Sequence, residues 1–179
     1  FSKKNELSMA ATSILSSLLL MVAGLNWLDP TITNLVPVLD SYWLLIHVAI
    51  ITASYGFLAL GAILGFLNLI LMIIQNKNNI NRISSTLKEL THINEMSITV
   101  GLFMLSIGTF LGGVWANESW GRYWGWDPKE TWAFASMLIY IFVLHMRFIP
   151  KLKGVFAFNI ASIIAYGSII MTYFGVNFY

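Results

Sequence analysis

The sequence predicts an all-α fold, a polytopic bundle of about five transmembrane helices. Apolar side chains make up 58% of the 179 residues and charged side chains 10%, and the mean hydropathy is +0.75. A water-soluble domain needs far more charge than this to cover its surface. The apolar residues also fall in long blocks, and a helix of about 20 apolar residues crosses the ~30 Å hydrocarbon layer.

Five blocks have the length of a membrane span. The second block is longer than one crossing requires, so its outer end, residues 43–54 with His47, should extend beyond the lipid. No linker or repeat divides the chain, which predicts one membrane domain over residues 1–179. The predicted spans have their cores at residues 7–28, 43–74, 98–115, 131–148 and 155–176.

Lysine and arginine are concentrated in alternate loops. By the positive-inside rule, these loops and the N-terminus face the cytoplasm. The inner loop at residues 76–95 is polar, and we expect a short amphipathic helix near residues 84–90. The loops at residues 29–41 and 117–130 have few cations and should face outward. The cations of the predicted inner side are Lys3, Lys4, Lys77, Arg82, Lys88, Arg147, Lys151 and Lys153.

Composition also excludes several classes of protein. The chain has no cysteine, so it has no disulfide, no thiol redox pair and no Cys-x-x-Cys-His haem-attachment motif, and it is not a c-type cytochrome. Its net charge is +2, and the basic residues are dispersed among loops, which argues against a nucleic-acid partner. The partner that composition predicts is membrane lipid.

The most informative segment is residues 115–132, which contains five of the seven tryptophans. Tryptophan and tyrosine favour the membrane interface, so an aromatic belt stays an alternative explanation for any single ring. A belt needs only one or two rings at a helix end, whereas this segment concentrates indoles and interrupts them with Gly121 and Gly125. Large flat rings beside small residues suit a large, flat, apolar ligand.

The end of this segment has a separate structural explanation. Asp127 is a good N-cap, Pro128 fits the first helical position and Glu130 falls at the third. This pattern predicts a capping box that opens the fourth span. We therefore favour capping over direct ligand contact for Asp127.

Residues 115–132 resemble the WWD signature of haem-handling membrane proteins. The run Trp-Asp-Pro-Lys-Glu-Thr-Trp at 126–132 favours the CcsA (ResC-like) part of the system II cytochrome c synthetase over the CcmC and CcmF families, which keep Trp-Asp but continue differently. Weaker similarity extends over residues 43–179. The resemblance implies a C-terminal piece of a cytochrome c biogenesis protein, in a bacterial inner membrane or a plastid thylakoid membrane.

The resemblance also implies a function. Haem b would be bound in the membrane and presented on its outer face for thioether attachment to the Cys-x-x-Cys-His segment of apocytochrome c. The partner would be a CcsB (ResB-like) portion or subunit, and whether the chain contributes to a holocytochrome c synthase (haem lyase) activity stays open. The alternative from another class is a transporter or scaffold subunit whose aromatic loop docks a partner protein. That alternative predicts no bound haem.

Two histidines match iron ligands of that family. His47 matches the first of two outer axial ligands, and the second would follow residues 173–177, beyond Tyr179. Without the resemblance, a lone histidine near a helix end is more often an interfacial side chain, although neutral imidazole is a common axial ligand. His145 matches a membrane-embedded histidine that pairs with one from CcsB. Its position ~27 Å along the helix from Asp127 predicts the inner leaflet.

The candidate site therefore combines iron ligands with a binding loop. His47 would ligate iron at the outer site and His145 at the membrane site. Arg122 and Lys129 would pair with haem propionates, with anchoring to lipid headgroups as the alternative. The loop residues of the predicted haem site are Trp115, Trp120, Tyr123, Trp124, Trp126 and Asp127.

Cysteine labelling tests the predicted orientation. Because the chain has no cysteine, single cysteines can be introduced at Asn34, Asn78 and Glu118. We expect the first and third to react with a membrane-impermeant maleimide added from outside, and the second to react only after the membrane is opened. Labelling of position 78 in sealed cells would invert the topology.

Overall fold

The computed structural model describes residues 4–24, 41–76 and 79–178, and within these ranges it contains helices and no strands. Short 3-10 turns follow the fourth and fifth helices, at Met146–Phe148 and Gly175–Phe178. The predicted all-α fold is confirmed. The five helices are α1 (Lys4–Gly24), α2 (Tyr42–Ile74), α3 (Ile80–Trp120), α4 (Pro128–His145) and α5 (Val155–Tyr173).

Four of the described helices, α2 to α5, are long and apolar enough to cross a membrane. The helix α1 has 21 residues, which is also the length of a span. The chain is therefore a multi-pass membrane protein, as the hydropathy predicts. Which side of the membrane each loop faces stays a prediction.

Residues 1–40 and 41–179 form two separate compact units. The first unit contains α1, in which the Ser13 hydroxyl donates to the Met9 carbonyl oxygen at 2.8 Å. The end of the first predicted span, residues 25–28, and most of the predicted outer loop after it lie outside the described residues. The second unit contains α2 to α5. The interpretation of the whole chain as one domain stays a prediction.

The largest difference from the predicted elements is in α3. We expected a polar loop at residues 76–95 with a short helix inside it, but one continuous helix of 41 residues runs from Ile80 to Trp120. The predicted loop was wrong because residues 80–100 contain no glycine or proline to end a helix. Polar residues there mark where the helix leaves the lipid, and its ~60 Å length is about twice the hydrocarbon thickness.

The outer loop is also shorter than predicted, because α3 extends further than expected at this end as well. Helix α3 continues to Trp120, and Gly121 ends it in the left-handed conformation, with φ 71° and its N–H bonded to the Asn117 carbonyl at 2.8 Å. Glycine adopts this conformation without steric penalty. Because α4 starts at Pro128, the loop contains residues 121–127 in place of the predicted 117–130.

Helices α2 and α3 pack through matching stripes that we call the α2 seam and the α3 seam. Seam residues alternate in steps of three and four, which is the spacing of a close helix pair in which each side chain fits between those of the partner. Glycines allow the close approach, since a Cβ at Gly101 would lie 2.7 Å from Leu58 Cδ2. The α2 seam is His47, Ile51, Ser54, Leu58, Gly61 and Asn68, and the α3 seam is Asn94, Ile98, Gly101, Leu105, Gly108 and Gly112; Gly65, which continues the spacing on α2, packs against α5 instead.

A buried polar network joins α2, α3 and α5. The Asn159 side-chain oxygen accepts from Asn68 Nδ2 at 2.9 Å and from Asn94 Nδ2 at 3.1 Å. Its own Nδ2 donates to Thr91 Oγ1 at 3.1 Å and to the Val155 carbonyl at 2.8 Å. These side chains are buried from water, so the network holds the three helices in one register.

Replacing the central asparagine tests this role. We expect Asn159→Ala to lower the free energy of unfolding by ~1–3 kcal/mol, because the amides of Asn68 and Asn94 lose their shared acceptor. The measurement is equilibrium unfolding in mixed micelles. The control is Ser106→Ala, since the Ser106 hydroxyl donates to Leu102 of its own helix. Equal effects of the two substitutions would show that the network adds nothing to the packing of the helices.

Candidate functional site

The loop at residues 121–127 is held by the start of α4. Asp127 Oδ1 accepts from the Glu130 backbone N–H at 2.8 Å, and Pro128 occupies the first helical position. The predicted N-cap is thus confirmed. In a capping box the glutamate would bond back to the N-cap residue, but Glu130 Oε2 accepts the N–H of Gly125 at 2.6 Å. The carboxylate therefore holds the middle of the loop as well as the helix end.

Trp126 has an uncommon backbone conformation. Its φ is 57°, the one positive value at a residue other than glycine among the described residues. A bulky residue in this left-handed region is strained by roughly 1–3 kcal/mol and persists only where its surroundings hold it. The ring of Trp126 lies edge to face with Trp124, at 5.8 Å between centroids, and Trp124 meets Phe134 of α4 at 6.5 Å in the same way.

A cavity of about 400 Å³ lies between this loop, α3 and α4. The volume falls within the range of ~300–1,000 Å³ that is usual for small-molecule and cofactor sites. The exposed surface of the cavity is almost entirely apolar, so it suits a hydrophobic ligand. The lining residues are Thr109, Phe110, Gly113, Tyr123, Trp124, Trp126, Phe134 and Met137.

Three of the predicted loop residues, Tyr123, Trp124 and Trp126, line this cavity. Trp115 and Trp120 do not; their rings contact each other near the end of α3, with centroids 4.7 Å apart. Asp127 serves as the N-cap, in line with the interpretation that we favoured from the sequence. The structure therefore divides the predicted tryptophan set into cavity rings and a separate pair.

The two cations of the predicted loop are exposed, Arg122 in the loop itself and Lys129 in the first turn of α4. The Arg122 guanidinium lies directly against Gly125, where an added Cβ would be 2.7 Å from Arg122 Cζ. Within the described part of the chain, neither Arg122 nor Lys129 forms an ion pair. Both therefore remain available to an anionic group beside the loop.

His47 lies in the contact between α2 and α3. Its side chain is half-buried, and Nδ1 is 2.6 Å from the Gly108 carbonyl oxygen. A carbonyl oxygen can only accept, so in the neutral ring Nδ1 carries the hydrogen and Nε2 carries the lone pair. The ring packs on Gly112, where an added Cβ would lie 2.6 Å from Cε1.

The structure does not bring His47 into the cavity wall. His47 contacts Gly112, whereas the next residue, Gly113, lines the cavity. Successive residues are ~100° apart around a helix, so the two sites lie on neighbouring faces of α3 at almost the same height. The His47 imidazole and the cavity with its indole rings therefore lie against neighbouring faces of α3.

The remaining two histidines are exposed. His145 ends α4, with Nδ1 2.7 Å from the Ile141 carbonyl oxygen and its ring 5.9 Å from that of Phe148. It does not line the cavity, and its exposed side chain lies on the surface of the helix bundle. His92 lies on the exposed side of α3.

Sequence reasoning missed the helical part of the cavity wall, which is Thr109, Phe110, Gly113, Phe134 and Met137. The signal was present as spacing. Thr109 and Gly113 are four residues apart on α3, and Phe134 and Met137 are three apart on α4, so each pair shares a helix face. Ordinary hydrophobic spans contain many such pairs, which is why none of them was distinctive.

Comparison with known proteins identifies the family. The family model described as "Cytochrome C assembly protein" matches residues 1–179. The chain belongs to this cytochrome c assembly family. It is 48% identical to protein NrfI of Wolinella succinogenes over 100% of this chain and 20% of NrfI.

Two proteins named "Cytochrome c biogenesis protein CcsA" are also similar. The protein from Prochlorococcus marinus is 38% identical, over 82% of this chain and 54% of its own length. The protein from Panax ginseng is 32% identical, over 98% of this chain and 65% of its own length. The chain thus spans a fifth of NrfI and somewhat more than half of the CcsA proteins. The CcsA resemblance is confirmed, and the family supports a role in cytochrome c biogenesis.

The bond between Glu130 and Gly125 can be tested by exchange. We expect Glu130→Ala to free the Gly125 amide, so that the loop peptide 121–127 takes up deuterium faster, with a loss of ~1 kcal/mol in local stability. Lys129→Ala is the matched control, because the exposed Lys129 occupies the same helical turn without an ion pair. Equal uptake in the two variants would mean that the carboxylate does not order the loop.

Proposed function

We propose that this chain, as part of a cytochrome c biogenesis protein, binds haem b and presents it on the outer face of the membrane. The observation that carries the proposal is the apolar cavity of about 400 Å³ whose wall includes Tyr123, Trp124 and Trp126. Aromatic rings that meet edge to face leave flat surfaces for a planar ligand. In this proposal haem is the substrate, and a chain without cysteine forms no thioether bond that would prevent its transfer to apocytochrome c.

Three side chains outside the cavity wall have the chemistry that the polar parts of haem require. The Nε2 lone pair of His47 is of the kind that ligates haem iron, and its Nδ1–H is held by a carbonyl, as is usual for ligating histidines. The free cations Arg122 and Lys129 match the two propionates. Trp115, Trp120 and Asp127 would act indirectly, by holding the ends of the two helices that flank the loop. The rings of Trp115 and Trp120 contact each other near the end of α3, and Asp127 caps α4.

In this proposal the protein supplies orientation and the exclusion of water. The cavity rings would hold the macrocycle in one orientation and keep its edge dry, which raises the effective concentration of the reacting groups. Haem contributes the vinyl groups, and the Cys-x-x-Cys-His segment of apocytochrome c contributes the thiols. The chain would then be the haem-presenting part of a holocytochrome c synthase.

His145 supports a second, inner position for haem. Its side chain is exposed at the cytoplasmic end of α4 in the predicted topology. An ionisable side chain on the lipid-facing surface is unfavourable unless a partner covers it. We propose that a CcsB (ResB-like) portion or subunit supplies that partner histidine, in a bacterial inner membrane or a thylakoid membrane.

One observation favours a second candidate function. The rings of Trp120 and Trp126 are 52% and 71% exposed, and exposed tryptophans are typical of protein contacts. A transporter or scaffold subunit whose loop docks a partner protein would use them in this way. It would bind no haem, so the two functions differ in a measurable property.

Haem content tests the proposal. We expect His47→Ala and Trp124→Ala, made in the full-length protein, to lower haem per protein several-fold and to reduce holocytochrome c formation. Added imidazole should partly restore haem in His47→Ala, because it can replace the missing ligand, and should not restore it in Trp124→Ala. The control is His92→Ala, which removes an exposed histidine elsewhere on α3. Full haem content in both site variants would exclude this binding mode.

A further inference from the structure

We infer that Gly112 is a positioning residue for His47: the missing side chain at position 112 admits the imidazole to α3, and the Gly108 carbonyl then sets its tautomer. The inference rests on the proposed function in one respect, namely that haem iron is the ligand of Nε2. The claim that Gly112 positions the ring is argued only from the contact between α2 and α3.

The first evidence is the space at Gly112. An added Cβ there would lie 2.6 Å from His47 Cε1, 2.8 Å from Nδ1 and 3.2 Å from Nε2. Non-bonded contacts of real Cβ atoms are essentially never shorter than 3.0 Å, and the first two values are. A side chain at position 112 would therefore have to displace the ring or separate the two helices, because the heavy atoms nearest to the added Cβ all belong to His47.

The second evidence is the place of His47 in the α2 seam. The seam positions next to it hold apolar or small residues, such as Ile51 and Leu58, which pack on Gly108 and Gly101 of α3. His47 continues this spacing toward the outer side with a polar ring. An aliphatic side chain would fill the same notch at no cost in polarity, so packing alone does not account for an imidazole there.

The third evidence is the division of the ring nitrogens. Nδ1 is committed to the Gly108 carbonyl at 2.6 Å, and within the described residues no hydrogen bond to Nε2 occurs. A histidine with one nitrogen held by a carbonyl and the other free is the arrangement found at metal-ligating histidines. The hydrogen-bond partner of a ligating histidine typically contributes roughly 10- to 100-fold to metal affinity.

These contacts make Gly112 act through His47. A side chain at position 112 would push the ring away from the Gly108 carbonyl, so that Nδ1–H loses its acceptor and Nε2 changes direction. The iron would then meet a mobile imidazole instead of a fixed one. The effect is expected on iron coordination, whereas a purely structural role of Gly112 would affect only the stability of the helix pair.

The experiment compares Gly112→Ala with Gly101→Ala in the full-length protein. Both substitutions add a methyl group to the α3 seam, and the added Cβ of Gly101→Ala would meet Leu58 at 2.7 Å, far from His47. Without haem, ¹⁵N NMR of labelled histidine reports the tautomer, with His47→Ala assigning the signal. With haem, titration gives the affinity, and optical and electron paramagnetic resonance spectra report the ligands of the iron.

We expect Gly112→Ala to mix the two tautomers of His47, to weaken haem binding by roughly 10- to 100-fold and to raise the high-spin fraction. Gly101→Ala should keep the wild-type tautomer and spectrum. A wild-type tautomer and iron spectrum in Gly112→Ala would overturn the inference. If the wild-type protein binds no haem, the proposed function is wrong, and the tautomer measurement alone decides whether Gly112 positions the ring.

A second variant covers the case in which Gly112→Ala does not accumulate in the membrane. Adding His47→Ala removes the ring that the new methyl group would strike. We expect this double variant to accumulate as well as His47→Ala alone. Continued loss of the double variant would show that the methyl group clashes with something other than His47, and the inference would fail.

Discussion

The absence of hydrogen-bonding partners in hydrocarbon is the constraint on which this structure depends. Backbone N–H and C=O groups there must pair within helices, so irregular backbone is tolerated only where protein or water satisfies it. The irregular chain between α3 and α4 is limited to seven residues, 121–127, where Glu130 accepts from the Gly125 N–H and Asp127 accepts from the Glu130 N–H at the start of α4. The same two bonds that begin α4 hold the loop whose rings line the cavity, so helix capping and cavity geometry depend on one another.

Helix contact and site geometry share a second dependence, on glycine. Without a hydrophobic effect between membrane helices, close packing provides much of their attraction, and small residues permit it. Gly108 and Gly112 bring α2 close enough for a backbone carbonyl of α3 to accept from His47. At the next residue, Gly113, an added Cβ would lie 3.1 Å from the Tyr123 carbonyl oxygen, and Gly113 also forms part of the cavity wall. Three glycines on one helix thus serve packing, histidine orientation and the cavity.

The sequence predicted the fold class, the cap at Asp127 and three cavity rings, because hydropathy blocks, capping residues and clustered indoles are local signals. It did not predict that α3 is continuous, since polarity shows where lipid ends and not where a helix ends. Nor did it predict that His47 and the cavity lie on neighbouring faces of α3. That arrangement depends on the rotation of each helix about its axis, which contacts such as those of Gly112 determine only after the helices have met.

The length of α3 gives these contacts a common mechanical frame. Asn94, in the buried polar network, and Gly112, against His47, are 18 residues apart on this unbroken helix, which is five full turns and ~27 Å. Both therefore point the same way, toward α2. Because no residue between them breaks the helix, one helical repeat sets the direction of both contacts. The alignment of the polar network and that of the His47 contact therefore depend on the same stretch of α3.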